Sequence, residues 1–329
     1  MNIAVVVDQE TVKRDGTLRA DANAERDVCG ALRELGHHIR VWPLALSASE
    51  TLSEIRGWQA GLVFNLTEHY QGDRDRDHFF ATLLEHYGFA FTGASSAALS
   101  LCRDKEASKR IVEAAGIAVP RTYLWTPERD DWASRVQWPL IIKPLRGDGS
   151  EHITSKSVVA NSHQAQRRAQ SVWRHTQQAV LAEQYIDGTE YTITVTGSVG
   201  GTLKVWGVSV LNRPKRAGDP YLYAHEVKNG RNLKRHHGND YVACDPIFEP
   251  EVGAVATAAA TCFATLRLDG YARFDFRVLE GRCYFLEANP NSNLNRDSDA
   301  TQFRRFGHTA FIAEVVRLGL ERTQMAAKR

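Results

Sequence analysis

Between Gly270 and Leu294 the chain reads GYARFDFRVLEGRCYFLEANPNSNL, and this stretch limits the fold more than any other. Arg273, Asp275 and Arg277 alternate with Phe274, Phe276 and Val278, a period of two that specifies a strand with one charged and one oily side. After a turn at Glu280-Gly281-Arg282 comes a second strand, in which Glu287 and Asn289 alternate with Tyr284, Leu286 and Ala288. A three-residue loop centred on Gly281 would set Asp275 opposite Glu287 and Arg273 opposite Asn289 on one face. On the other face it would pair Phe274 with Ala288, Phe276 with Leu286 and Val278 with Tyr284. A two-residue turn is expected to slip this register and split the carboxylates across the sheet.

Oxygen donors so placed suit Mg²⁺, which binds one or two carboxylates together with water and substrate phosphates. Charges at period two also describe an ordinary solvated strand face. Against that stands the direct opposition of Asp275 and Glu287, since like charges facing each other across a ladder destabilise it unless a cation lies between them. The spacing alone leaves both readings open.

The 329 residues are enough for two or three domains, and 43% hydrophobic with 24% charged residues describes an ordinary folded chain. A formal charge of +2 gives no electrostatic reason to expect nucleic acid or a membrane surface as partner. No apolar run approaches the roughly 20 residues that span a bilayer. The opening MNIAVVVDQ lacks a basic segment and reads as a buried strand, not a signal peptide. Five widely spaced cysteines without a C-x-x-C argue against a disulfide framework or a zinc site, so the cytoplasm is the expected compartment.

Ile3 to Val7 is continuously apolar, as for a strand covered on both faces. A helix from about Asn23 places Val28, Ala31, Leu32 and Leu35 on one side and stops at Gly36. Strands at Ile39 to Trp42 and Leu62 to Asn65 complete the alternation of a parallel sheet, with a further short strand at Phe89 to Thr92. The loop from Asn65 to Asp77 is long and polar and lies where such sheets carry function, although a plain surface loop has the same composition. Further on, Pro139-Leu-Ile-Ile-Lys-Pro144 is a buried strand bearing one lysine, followed by the glycine-rich segment Leu145 to Ser150, whose backbone N–H groups could line an anion. Antiparallel strands at Tyr191 to Thr196 and Lys204 to Ser209, an alanine-rich helix from Glu251 to Thr265, and a last helix from about Thr309 complete the chain.

Taken in order, D-K-x-x-S-K at Asp104 to Lys109, I-I-K-P at Ile141 to Pro144, E-Q-Y-I-D-G-T-E-Y-T at Glu183 to Thr192, then R-F-D-F and L-E-A-N-P resemble the ATP-grasp superfamily. Within it the chain is most similar to the D-alanine–D-alanine ligase branch, a likeness that F-T-G-A-S-S-A-A-L-S at Phe91 to Ser100 shares. The resemblance implies an α/β (α+β) ATP-grasp fold: an N-terminal Rossmann-like parallel-sheet domain over residues 1–95, a small central domain over 96–186, and a C-terminal catalytic domain over 187–329. It implies ATP and two Mg²⁺ ions, with Mn²⁺ as a substitute. Lys105 and Lys143 match lysines that reach the nucleotide phosphates. Glu183, Tyr185 and Ile186 match the segment that receives adenine, and Glu190 a ribose-hydroxyl acceptor. Gly147, Asp148, Gly149 and Ser150 fall in the glycine loop over the phosphates. Lys228, in H-E-V-K, is similar to a lysine near the γ-phosphate. Asp275, Glu287 and Asn289 match the metal ligands, and Arg273 an arginine that stabilises the reacting oxyanion.

The implied activity is formation of an amide bond between an amino acid, or a related small acid, and an amine, through an acyl phosphate. Two departures bear on substrate choice. Asn229 follows the lysine of H-E-V-K where the branch has tyrosine, and Pro290 to Asp299 reads P-N-S-N-L-N-R-D-S-D where it has an S-P-G-M-T type sequence. Asn293, Asn295 and Arg296 are therefore candidates for contacts to the second substrate, and Glu68, His69 and Arg74 for the first; Glu25 aligns ambiguously with a substrate-binding glutamate. The alternatives are a true D-alanine–D-alanine ligase with an altered pocket, or a nucleotide-binding regulatory protein without turnover. Dimers are common in the family, so a homodimer is compatible with the resemblance.

Overall fold

A computed structural model describes residues 1–44, 47–128, 136–147, 149–211, 241–244, 250–296 and 306–326. Asp148, Lys228 and Asn229 lie outside the described residues, as does the part of the Pro290 to Asp299 segment beyond Arg296.

The first sheet is parallel, in the order β2-β1-β3, from β1 (Asn2–Asp8), β2 (His38–Leu44) and β3 (Leu62–Asn65). Ile3 to Val7 is fully buried because side chains at period two fill cores on both faces. Ile3, Val5 and Val7 pack with Val28 and Leu32 of α1 (Asn23–Glu34) and with Phe311, Ile312 and Val315 of α8 (His308–Ala326). Ala4 and Val6 face Leu52 and Ile55 of α2 (Ala48–Gly57) and Phe80 and Leu84 of α3 (Asp77–His86). The strand expected at Phe89 to Thr92 is a single parallel bridge, Val63 to Phe91.

Two helices follow, α4 (Ser96–Arg103) and α5 (Lys105–Ala114). Asp104 caps α5 by accepting the N–H groups of Glu106 and Ala107 at 3.1 and 2.9 Å. The second sheet is antiparallel, in the order β4-β7-β5-β6, from β4 (Thr122–Trp125), β5 (Leu140–Pro144), β6 (Val158–Val159) and β7 (Val180–Gln184), and α6 (Ser162–Thr176) packs on it. The third sheet, also antiparallel, has the order β10-β9-β8-β11-β12. It comprises β8 (Thr189–Gly197), β9 (Lys204–Leu211), β10 (Tyr241–Cys244), β11 (Gly270–Leu279) and β12 (Arg282–Asn289), backed by α7 (Pro250–Thr265).

The β11–β12 hairpin corrects the expected turn and part of the expected register. Only Glu280 and Gly281 form the loop, both left-handed at φ 51° and 75°, the conformation of a two-residue type I′ turn. Phe276 accordingly pairs with Phe285, Arg277 with Tyr284 and Val278 with Cys283. A β-bulge then inserts Leu286 between the pairs Phe276–Phe285 and Asp275–Glu287. Asp275 stays opposite Glu287 and Arg273 opposite Asn289, as the sequence suggests, but by a different route. The oily face consists of Phe274, Phe276, Phe285 and Ala288, all buried against Val255, Ala259 and Phe263 of α7. Tyr284 moves to the charged side, opposite Arg277.

The five cysteines are free thiols, four of them buried.

Candidate active site

Three elements bring the charged residues together. Lys105 opens α5, Lys143 lies on β5, and Arg273, Asp275, Glu287 and Asn289 occupy the polar face of the hairpin. The Lys105 ammonium donates to the Gly147 carbonyl and stands 3.7 Å from Glu287. Two small adjoining cavities share Lys105, Gly147 and Glu287 in their walls. One adds Lys143 and Ser150; the other adds Glu68, Arg74, Asp77, Arg103, Asn289 and Asn291. Their volumes are about 30 and 20 Å³, enough for a water or two. Gly147, Gly149 and Ser150 all have positive φ, at 127°, 62° and 63°. The left-handed conformation costs the glycines little and strains Ser150, a pattern found where a segment is shaped for a ligand.

On the hairpin, Arg273 Nε is 3.3 Å from Asp275 Oδ1, and Asn289 Nδ2 lies 3.5 Å from Asp275 Oδ2. Burial pushes the Glu287 carboxyl up, but Lys105, Lys143 and Arg273 outweigh it and hold the pKa at about 2. Glu287 is therefore ionised at neutral pH. Two facing carboxylates and a carboxamide supply all-oxygen donors, and the surrounding ammonium and guanidinium groups supply charge for an anion beside them. This donor set fits a hard divalent cation that bridges to phosphate.

Glu183 is not turned to open space. It is 2% exposed, with Lys143 3.1 Å from Oε1 and Lys109 2.8 Å from Oε2. The carboxylate thus positions Lys143. Glu190 is also engaged: Arg277 Nε and Nη2 donate to its Oε2 at 3.1 and 2.7 Å, while Nη1 donates to the Ile186 carbonyl at 2.7 Å. The Arg277 guanidinium lies 5.0 Å from the Tyr185 ring, joining all three residues. Neither Lys109 nor Arg277 was singled out from the sequence. The signals were there: Lys109 is one helical turn after Lys105, and Arg277 continues the period of Arg273 and Asp275.

The family model described as D-ala D-ala ligase C-terminus matches residues 111–302, more than half of the chain. The chain belongs to this ligase family. Similar curated proteins include the D-alanine–D-alanine ligase of Ralstonia pickettii, 30% identical over 202 residues, which span 58% of each chain and so less than two thirds of that relative. Another is the D-alanine–D-alanine ligase of Aquifex aeolicus, 24% identical over 88% of this chain and 89% of that one. Among solved structures, the Bacillus anthracis D-alanine–D-alanine ligase complexed with ATP superposes with a TM-score of 0.74 at 17% identity, covering 99% of both chains. The VanG D-Ala:D-Ser ligase from Enterococcus faecalis gives 0.71 at 18%, covering 97% of this chain and 99% of that one. The fold is ATP-grasp, and the family is one of ATP-dependent carbon–nitrogen ligases.

The expected substrate residues of this family member divide. Glu68 and Arg74 reach the cavity at Lys105 and Glu287, 2.9 Å from each other. Glu25, in the first turn of α1, has its carboxyl pushed up by burial and then by the charges of Glu68 and Asp21. His69 turns away to Asp8 and Glu10. Asn293, Asn295 and Arg296 lie outside the lining of the cavity at Lys105 and Glu287. Asn293 accepts the Asn295 N–H at 2.9 Å, and Arg296, 57% exposed at its side chain, points to Asp27 and Glu34 of α1 at 3.8 and 3.5 Å. None of the three lines the cavity; Pro290 and Asn291 of the same segment do, because β12 ends at Asn289 and delivers them there. Asp77 and Arg103, ion-paired on the opposite wall, were also unforeseen.

Proposed function

We propose that the chain is a ligase that uses ATP to activate the carboxylate of one small amino acid and joins it to the amine of another, releasing ADP and phosphate. The observation that carries the reading is the convergence of Lys105, Lys143 and Arg273 on the Asp275–Glu287 pair beside the Gly147 turn. Lys105 and Lys143 bind the phosphates, with Lys143 oriented by Glu183. Tyr185 and Ile186 offer backbone to the adenine, and Glu190, fixed by Arg277, stands for the ribose. Asp275, Glu287 and Asn289 would hold divalent cations, two Mg²⁺ with Mn²⁺ as a substitute, and these would supply charge to offset that of the phosphates.

A carboxylate resists an amine because its negative charge is delocalised. Phosphorylation converts it into an acyl phosphate with a good leaving group. For the attack of the amine, Arg273 is assigned to the developing oxyanion and Ser150, on the cavity with Lys105 and Lys143, to the reacting groups; fixed charges need no reorganisation. Beyond the effect of burial, Glu68 is close enough to raise the Glu25 carboxyl, and the two suit the amino group of the first amino acid. Arg74, paired with Glu68, and Arg103, paired with Asp77, bring guanidinium groups to the cavity that Glu68 lines, for a carboxylate. Lys228 and Asp148 are assigned on the resemblance alone, as are a homodimer and a cytoplasmic setting. Among the described residues, no helix is long and apolar enough to cross a membrane.

ADP release with ATP, Mg²⁺ and pools of amino acids tests the proposal. Stimulation by a pool, with hydroxylamine trapping a hydroxamate, supports it. If D-alanine alone suffices, the chain is a D-alanine–D-alanine ligase; if no pool stimulates release, the ligase reading fails.

A further inference from the structure

The carboxyl end of β1 carries a group of side chains that the ligase chemistry leaves unused. Asp8 ends the strand, Glu10 follows two residues later, and His69 arrives from the loop after β3. One donor atom from each lies within 4.8 Å of the other two. The His69 Nε2 contacts the Glu10 carboxylate and is 3.6 Å from Asp8 Oδ2. Asp8 is 8% exposed; its Oδ2 accepts the Glu68 N–H at 3.0 Å, whereas its Oδ1 is buried without a hydrogen-bond partner. A buried carboxylate oxygen left without a donor is unfavourable unless a cation joins it.

We propose that Asp8, Glu10 and His69 bind a divalent transition-metal ion of the Zn²⁺ class, with one coordination position left open to the adjoining cavity. The donor chemistry selects the ion. Imidazole and carboxylate together suit Zn²⁺, whereas Mg²⁺ and Ca²⁺ favour oxygen alone. Bond lengths of about 2.0–2.2 Å put neighbouring donors in a tetrahedral site roughly 3.3 Å apart, near the 3.6 Å found between His69 and Asp8. Glu10, with its side chain 66% exposed, closes the third distance by a rotamer change. The buried Asp8 and the His69 loop are the fixed part of the site.

The cavity beside the cluster has a volume of about 550 Å³ and is walled also by Ser47, Glu50 and Gln71. Its described lining holds three carboxylates and no lysine or arginine, a field that draws cations in. Asp8, Glu10 and His69 are absent from the walls of both cavities at Lys105 and Glu287, so the ion is separate from the cations on the hairpin.

The test uses the full chain, stripped with a chelator and titrated with Zn²⁺ by calorimetry under a large excess of Mg²⁺. One Zn²⁺ per chain is expected, with X-ray absorption showing nitrogen and oxygen ligands and no sulfur. Glu10→Gln should weaken binding by roughly tenfold or more. So should Asp8→Asn, which keeps an acceptor for the Glu68 N–H. Glu50→Gln, on the cavity wall outside the donor set, should leave affinity unchanged. Circular dichroism confirms that the variants fold, and Glu10 is exposed enough that its variant will. No Zn²⁺ bound under excess Mg²⁺, wild-type affinity in both donor variants, or loss of Zn²⁺ in Glu287→Gln would each overturn the proposal.

Discussion

Glu183 shows how much rests on one side chain. Burial pushes its carboxyl up, and the ammonium groups of Lys109 and Lys143 more than reverse this, holding it below the usual value. A carboxylate depressed in the folded state contributes stability that is complete above its unfolded pKa of about 4.5 and is lost as pH falls through the lower folded value. Glu183→Gln leaves two buried ammonium groups without their counter-charge. It should cost about 3–5 kcal/mol in urea unfolding at neutral pH, and it should flatten this part of the acid limb. Glu287→Gln should show both effects. Ligase turnover should disappear, and the urea midpoint at neutral pH should also fall, because a carboxyl held at about 2 contributes stability above its unfolded value of 4.5; retained turnover would remove Glu287 from the metal site.

At the scale of elements, the hairpin reconciles two demands. The Glu280-Gly281 turn gives strands the twist they favour, yet uncorrected it would pair Asp275 with Leu286 and send Glu287 to the oily face. The bulge at Leu286 absorbs the difference, allowing Phe285 and Ala288 both to reach the core while Glu287 stays with Asp275. Glu280 is the weak point, a side chain with a Cβ held at φ 51°. Glu280→Asn should raise stability by about 0.5 kcal/mol, because asparagine tolerates that region and Asn-Gly suits a type I′ turn. Gly281→Val should lower it by about 1–2 kcal/mol. Urea midpoints of the two variants give both signs in one experiment.

Across the molecule, one core runs from Ala4 and Val6 through Phe80 and Leu84 to Phe274, Phe276 and Phe285, joining the first sheet to the hairpin. Phe274→Ala should therefore cost about 3–5 kcal/mol in a global unfolding measurement, although the residue lies behind the active face. The uninterrupted run Ile3 to Val7 announced a strand covered on both sides, and α1 and β3 were legible from spacing and stop signals. Helices α2 and α4 escaped notice because each is short and its apolar stripe, such as Leu52 with Ile55, is too brief to establish a period. The bulge was hidden because alternation assigns faces only while no residue is inserted. The ion pairs of Arg296 were hidden because sequence shows a charge without its partners; Asp27 and Glu34 are more than 260 residues away. A separation of 59 residues likewise hid His69 from Glu10, and with it Asp8.

Because α8 covers Ile3, Val5 and Val7, strand β1 is sheltered by a helix made about 300 residues later on the ribosome. Pairing across nearly the whole chain delays closure, since contacts of high sequence separation are slow to form. Until residues 308–326 emerge, this side of the parallel sheet is covered by α1 alone and leaves apolar surface exposed, the kind of intermediate on which chaperones act and from which aggregation starts. Synthesis halted before α8 should thus leave the protein insoluble while its β11–β12 hairpin is already complete. Centrifugation of a chain truncated after Phe306 measures this, and a soluble, monomeric product would show that α1 alone protects the sheet.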